Sequence, residues 1–301
     1  MADIHTTANW PHHTTLREID MVMFHQLEER AGIGREIFNV RDSSQYQEDF
    51  VTVGGIGIME QLLEGQALNY VATNEGFRQT FTHLDYGNAM RVTRRMLRED
   101  QYGSMEELAI ELALAGIATE ETLLANHFNR GFSNSYTGAD GKELFATDHI
   151  RENGETYANE LSSAADLSQT AIEQAYIDFS DFRTGGGRRL QIEPEWLLVP
   201  KEQRFEAARY AESGQEPEND SNATNVLENL FRVRVWNYLT DTDAWFLGAA
   251  KQYHKLLMYE REEFWTDYEY DFDTKDYKVS GMFAQSSGWG DPRGVFGSPG
   301  I

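Results

Sequence analysis

The chain has 301 residues, and 50 aspartates and glutamates outweigh 26 lysines and arginines, which gives a formal net charge of −24 at pH 7. A chain this acidic repels phosphate, which argues against tight or sequence-specific binding of nucleic acid and against adhesion to anionic membranes. Because the sequence contains no cysteine, disulfide frameworks, thiolate metal sites and cysteine nucleophiles are excluded.

The beginning of the chain predicts an arm followed by a hairpin. Residues 1–40 show no clear hydrophobic period, which is typical of an arm attached to a core rather than of a domain. Residues 41–87 carry strand patterns interrupted by glycines and charged residues, as where Phe50–Val53 leads into Gly54 and Gly55. A long segment of this kind favours an extended β-hairpin over a packed sheet.

Residues 104–130 give the strongest helix signal. Ser104 and Glu107 have the spacing of a capping box, and Gly131 follows as a helix-ending residue. The apolar residues between Leu108 and Ile117 leave little polar face in the middle of the segment. We therefore expect a long, central and buried helix.

The middle of the chain mixes helices and strands. Apolar residues at helical spacing from Ser168 to Phe182 predict a second helix, which the glycines beginning at Gly185 end. The other predicted elements are a loop over 136–166, strands at Leu190–Ile192 and Trp196–Val199, and a third helix that ends at Gly214.

Strand patterns return over residues 230–300. Within them, four carboxylates alternate with aromatic residues at a period of two, which predicts a strand with one acidic face. These carboxylates are Asp267, Glu269, Asp271 and Asp273. The element order is that of an α+β protein without internal repeats.

Four local patterns could carry chemistry, and each has a simpler structural explanation. Asp148–His149 could act as a general base, but adjacent loop residues rarely face one site and no nucleophile motif accompanies them. His12–His13 lies in a stretch that looks like a flexible terminus, whereas metal sites usually draw ligands from rigid elements. The carboxylates of 267–273 lack the spacing of a calcium-binding loop, and Gly185–Arg189 follows a predicted helix instead of preceding one. We therefore expect no catalytic site, no metal and no cofactor, and a function that lies in the surfaces.

Four sequence segments carry a resemblance to a known family. They are Gly141–His149, Glu193–Pro200, Tyr238–Leu247 and Gly290–Gly297. In their order and spacing, the chain resembles the major capsid proteins of tailed bacteriophages, in particular the Mu-like major head subunit group, over roughly residues 45–300. The resemblance implies a structural virion protein without enzymatic activity. It also implies that copies of the chain assemble as hexamers and pentamers into an icosahedral shell around double-stranded DNA.

The resemblance also implies the division of the chain. The tailed-phage major capsid fold is α+β and has an N-terminal arm, an extended hairpin called the E-loop, a peripheral domain with a long spine helix, and an axial domain. The implied boundaries are 1–45 for the arm, 46–86 for the E-loop, 87–164 for the peripheral domain with its spine helix at 104–130, 165–250 for the axial domain, and 251–301 for the return to the peripheral domain.

The partners of such a subunit follow from the same resemblance. Residues 46–86 contain no lysine, so we expect none of the lysine–asparagine crosslinks that some of these shells form through the E-loop. The short arm predicts a separate scaffolding protein rather than a fused one. A portal protein, packaged DNA bound without sequence specificity and, in some shells, a decoration protein complete the set. Nothing predicts membrane contact, and assembly is expected in the host cytoplasm.

Two groups of charged residues are candidate assembly contacts. The arginines lie just before the predicted spine helix and are expected to meet acidic residues of a neighbouring subunit; they are Arg91, Arg94, Arg95 and Arg98. The carboxylates of 267–273 are expected to pair with arginines of a neighbour. Two alternatives stay open: an encapsulin-like cellular compartment, and a cytoplasmic metal-dependent hydrolase that uses His149.

Overall fold

The computed structural model describes residues 32–70, 75–93, 95, 104–215, 224–274 and 276–301. The helices are α1 (Ile33–Ile37), α2 (Ser104–Asn129), α3 (Gln169–Ser180) and α4 (Arg204–Glu212). The strands are β1 (Asn39–Asp42), β2 (Gln47–Val53), β3 (Glu75–Thr82), β4 (Leu84–Val92), β5 (His149–Ile150), β6 (Thr156–Tyr157), β7 (Trp196–Val199), β8 (Arg232–Val235), β9 (Trp245–Gly248), β10 (Leu256–Tyr270), β11 (Tyr277–Trp289) and β12 (Val295–Ser298). The predicted α+β class is therefore confirmed.

The described chain divides into two compact units. The first unit contains Leu84–Glu120 and Arg261–Gln285, and the second contains Ile33–His83, Glu121–Glu260 and Ser286–Ile301. Helix α2 and the long strands β10 and β11 are therefore each divided between the two units.

The core of the second unit is built on a four-stranded sheet. The strand order is β12-β9-β7-β8, with β7 antiparallel to β9 and parallel to β8. Every residue of β7, β9 and β12 is buried, as expected for short apolar strands covered on both faces. Helix α3 packs against this sheet through Ile172, Ala175 and Phe179, and the Ser168 hydroxyl caps it by accepting a hydrogen bond from the Ala171 amide at 3.3 Å.

The C-terminal half of α2 belongs to a second core in the same unit. Phe128 lies 5.1 Å from Phe246 between ring centroids and is almost completely buried. Glu121 is also buried, and its carboxylate accepts hydrogen bonds from the Gly34 amide at 3.0 Å and from the Trp236 indole at 2.6 Å. This carboxylate therefore links α1 and the residue that follows β8 to α2.

The first unit joins a strand pair to the N-terminal half of α2. Strand β11 runs antiparallel to β4, with Tyr277 opposite Val92 and Gln285 opposite Leu84. Leu112 of α2 packs with Phe264 in this unit. A Cβ atom at Gly116 would lie 2.8 Å from the ring of Phe264, so only glycine permits this approach of the helix.

Several predictions from the sequence are wrong in detail. Helix α2 is buried in its second half, but Leu108 is 41% exposed and Leu114 is half-buried, because the first unit covers one side of the helix only. Leu190–Ile192 is not a strand, because Gln191 has a φ of 50°, outside the β region. The predicted loop over 136–166 also contains the short pair β5–β6.

Candidate assembly surfaces

A two-stranded hairpin, separate from the larger sheets, is formed by β2 and β3. Gln47 pairs with Thr82 and Phe50 with Gln79, and the connection between the strands begins at Gly54. The connection over 54–70 presents large apolar side chains to solvent. The most exposed are Ile58 (81%), Met59 (92%), Leu63 (71%), Leu68 (68%) and Tyr70 (94%). Exposed apolar side chains concentrated in this way are typical of a surface that binds a protein, a membrane or a ligand.

The base of this hairpin is held firmly within the second unit. Phe50 packs with Phe81 and Tyr259, and the rings of the last two lie 5.3 Å apart. The backbones of Gly55 and Gly186 approach so closely that a Cβ atom at Gly186 would clash with the Gly55 carbonyl oxygen. The hairpin is therefore a projection with an anchored base and an apolar end.

A buried ion cluster lies in the C-terminal loop of the same unit. Nε of Arg293 donates to both carboxylate oxygens of Asp291 at 2.8 Å, and its other nitrogens donate to Glu152 at 3.0 Å and to the Arg183 carbonyl at 3.2 Å. Burial alone would lower the pKa of Arg293, but its carboxylate partners outweigh that effect and raise the pKa above its ordinary value. The cluster connects the turn after α3, the turn after β5 and the loop before β12.

The candidate general base His149 is a buried structural residue. Its partner is Asp140, at 2.6 Å from Nδ1, and its ring stacks on Tyr157 with 5.2 Å between centroids. The His149 side chain has no exposed surface, and the adjacent Asp148 pairs instead with Lys142. A substrate cannot reach this imidazole, so the geometry does not support the hydrolase alternative.

The structure places two of the four candidate arginines. Arg91 lies in β4 and donates from Nε to Asp276 at 2.9 Å and from its terminal nitrogen to Thr274 at 3.0 Å, so it has partners within its own unit. Arg95 is a described residue, whereas Arg94 and Arg98 lie outside the described residues. The expectation that the four act together at a subunit contact stays a prediction.

The four candidate carboxylates do not share one strand face. Asp267 and Glu269 lie on the exposed face of β10, but the strand ends at Tyr270, and Asp271 and Asp273 belong to the turn before β11. The Asp271 carboxylate accepts hydrogen bonds from the amides of Asp273 and Thr274, at 3.0 and 3.2 Å. This local bonding competes with extended pairing and explains why the alternation stops.

A cleft in the second unit was not anticipated from the sequence. Its charged lining consists of Arg232 and Arg234 of β8, Lys251, Glu36 of α1, and Glu195. The signal in the sequence is the Arg–Val–Arg–Val alternation of β8, which puts both arginines on one face of the strand. Lys251 and Glu36 reach the cleft only through tertiary packing, which no local pattern reports.

The described residues contain no group of three or more histidines, aspartates and glutamates that could hold a metal ion. Within the same residues, no helix combines the length and hydrophobicity that a membrane-spanning segment requires.

Comparison with known proteins identifies the family. Residues 78–297 match the family described as phage capsid protein. No curated protein matches the chain.

Solved structures share the fold at low sequence identity. The capsid of cyanophage P-SCSP1u is 10% identical with a TM-score of 0.61, and the match covers 90% of this chain and 88% of that one. The bacteriophage JBD30 capsid is 17% identical with a TM-score of 0.56, over 69% of this chain and 91% of that one. A virus-like particle from Pyrococcus furiosus is 8% identical with a TM-score of 0.56, over 94% and 98%.

These matches favour a phage shell over a cellular compartment, and membership of the Mu-like group stays a prediction. The family match spans more than two thirds of the chain, and the shared fold is that of capsid subunits. The chain therefore belongs to the phage capsid protein family and is a major capsid protein.

Proposed function

We propose that copies of this capsid protein assemble as hexamers and pentamers into an icosahedral shell that encloses double-stranded DNA, and that this shell forms in the host cytoplasm. The observation that carries the proposal is the hairpin with an anchored base and apolar side chains over 54–70. Each exposed side chain such as Met59 or Leu63 contributes about 1.5–3 kcal/mol to the free energy of association when a neighbouring copy covers it. Closed symmetry repeats this favourable contact at every subunit.

The wider set of partners follows from this role. A shell that is filled with DNA requires a portal, and a separate scaffolding protein would set its size. One similar structure is described as the JBD30 capsid decorated with minor capsid protein trimers, which supports a decoration protein as a further partner. The net charge of −24 is compatible with DNA that is enclosed but not gripped.

The experiment compares assembly of the purified full chain with that of a hairpin variant. We expect wild-type protein to form hexamers, pentamers or particles in light scattering and negative-stain microscopy. The double variant Met59→Asp, Leu63→Asp should need at least about a hundredfold higher protein concentration for assembly, because two apolar contacts are lost and two charges are buried.

The control adds the same charge to the same segment without removing apolar surface. The double variant Gln61→Asp, Asn69→Asp changes two exposed polar residues and should assemble nearly as the wild type does. Circular dichroism should show that all three proteins are folded. A wild-type chain that stays monomeric at every concentration would refute the proposed function.

A further inference from the structure

The cleft beside β8, which we call the cationic cleft, is a local exception on an acidic chain. It encloses about 350 Å³ and is lined by Arg232, Arg234 and Lys251 against Glu36 and Glu195, with Trp196 among its other lining residues. Three cations face two carboxylates, so one positive charge is uncompensated. The net charge of the chain is −24, which makes this excess distinctive.

The three cations of the cleft differ in whether they already bind a partner within the chain. Arg234 lies 3.1 Å from Glu36, and Lys251 donates to the Arg35 carbonyl oxygen at 2.7 Å. Arg232 is exposed and makes no ion pair or side-chain hydrogen bond with the described residues. Its guanidinium can therefore donate two hydrogen bonds to one carboxylate.

The anion that fits this cleft is a protein carboxylate rather than a phosphate backbone. Glu36 and Glu195 lie among the cations and repel a polyanion that carries a charge at every residue of its backbone. Single carboxylates that reach in from a strand avoid that repulsion, because each can face one arginine.

The chain itself carries a surface with the matching spacing. Arg232 and Arg234 lie two residues apart on β8, and Asp267 and Glu269 lie two residues apart on the exposed face of β10. At about 3.3 Å per residue, both pairs are separated by roughly 6.6 Å along their strands. The Glu269 side chain is 75% exposed, and its nearest described cation, Lys278, is at 3.7 Å.

We propose that the cationic cleft of one copy binds Asp267 and Glu269 of a second copy in the shell. The proposal rests on the proposed function, because it names one contact through which copies of this chain associate. In this proposal, the partners of the acidic face of β10 are the arginines of β8, not the arginines that lie just before α2.

The test is a charge exchange in the full chain. The double variant Arg232→Glu, Arg234→Glu and the double variant Asp267→Arg, Glu269→Arg should each raise the concentration required for assembly at least tenfold, because like charges then face each other. The quadruple variant restores opposite charges across the contact and should recover most of the wild-type assembly. Light scattering and sedimentation give the concentration, and circular dichroism reports folding.

A second measurement keeps the test decisive if the quadruple variant does not fold. In a mixture of the two double variants, opposite charges face each other across this contact only between unlike chains, so the mixture should yield oligomers that contain both. The matched control is Arg204→Glu, Arg209→Glu, which reverses two exposed arginines of α4 outside the cleft and should assemble as the wild type does.

Two outcomes would overturn the inference while leaving the proposed function intact. One is normal assembly of either double variant. If particles of the Arg232→Glu, Arg234→Glu variant, purified from cells, were normal but contained less nucleic acid than wild-type particles, the cleft would be assigned to phosphate. The other outcome is the failure of both the folded quadruple variant and the mixture to recover assembly. Failure of the wild-type chain to assemble would instead refute the proposed function.

Discussion

Arg293 bonds two carboxylates and a carbonyl from three separate loops of the second unit, and both carboxylate side chains are largely buried, at 5% exposure for Glu152 and 16% for Asp291. Such a cluster adds little net stability compared with apolar packing, but it is costly to break. It therefore fixes the relative positions of loops that contain few apolar residues. The sequence shows this arginine only as part of the Asp291–Gly294 segment. Its importance becomes visible only in the structure, where its bonds are largely buried.

Replacing Arg293 with glutamine should destabilise the unassembled subunit by about 3–5 kcal/mol, because Asp291 and Glu152 would stay buried without a cation. Arg293→Lys keeps the charge and should cost less, although it loses the two-bond geometry with Asp291. Urea denaturation measures both. The exposed Arg204→Gln serves as control, with an expected change within about 0.5 kcal/mol. Equal stability of Arg293→Gln and the wild type would show that the cluster is dispensable.

Two histidines, the buried His254 and the half-buried His127, make the stability of the subunit depend on pH. Burial lowers the pKa of His127 and of His254 to about 4, and nearby basic residues contribute to the shift. The unfolded chain therefore takes up these protons near pH 6.5, whereas the folded chain does so only near pH 4. Stability should fall as the pH falls from 6.5 to 4, by about 3 kcal/mol for each histidine, and these groups should cause no further loss below pH 4.

Removing one histidine tests this dependence. His127→Gln can keep a hydrogen bond to Ser287, which lies 2.9 Å from Nε2 in the wild type, but it does not titrate. The loss of stability between pH 7 and pH 4.5, measured by urea denaturation of unassembled subunit, should shrink by about 2–3 kcal/mol in this variant. An unchanged loss would mean that His127 is accessible to protons in the folded state.

At the scale of elements, the sequence predicted what adjacent residues determine. Helix α2 was expected at 104–130 and is found at Ser104–Asn129, and α3 begins after its Ser168 cap. The periodicity and capping that define such helices lie within a few residues of each other.

The sequence predictions were wrong or incomplete where a single residue's conformation or tertiary packing determines the structure. Gln191 breaks a strand pattern through a single left-handed backbone angle, and Asp271 ends an alternating pattern by bonding the next amides. The cationic cleft joins α1, β8 and the loop before β10, which are far apart along the chain. The hairpin was predicted from its glycines, but its anchored base depends on contacts with residues such as Gly186.

At the scale of the whole molecule, assembly must overcome the repulsion between copies that each carry a charge of −24. Salt screens that repulsion beyond about 8 Å at physiological ionic strength, so contacts of shorter range decide the outcome. In our proposals, the exposed apolar side chains of 54–70 would provide such a contact beside only two charged residues, Glu60 and Glu64, and the cationic cleft would provide one between opposite charges. Together, these two surfaces would allow an acidic subunit to associate.

Shell contacts through the hairpin should be entirely non-covalent. A lysine–asparagine crosslink needs a lysine amine, and residues 46–86 contain none. Assembled particles dissolved in hot detergent should therefore contain no covalent multimers joined through a hairpin lysine, and urea should disperse the particles reversibly with a midpoint that rises with protein concentration. Repeated apolar and ionic contacts would then supply all of the cohesion. A ladder of covalent multimers in the denaturing gel, with peptides from the hairpin at the junction, would contradict this prediction.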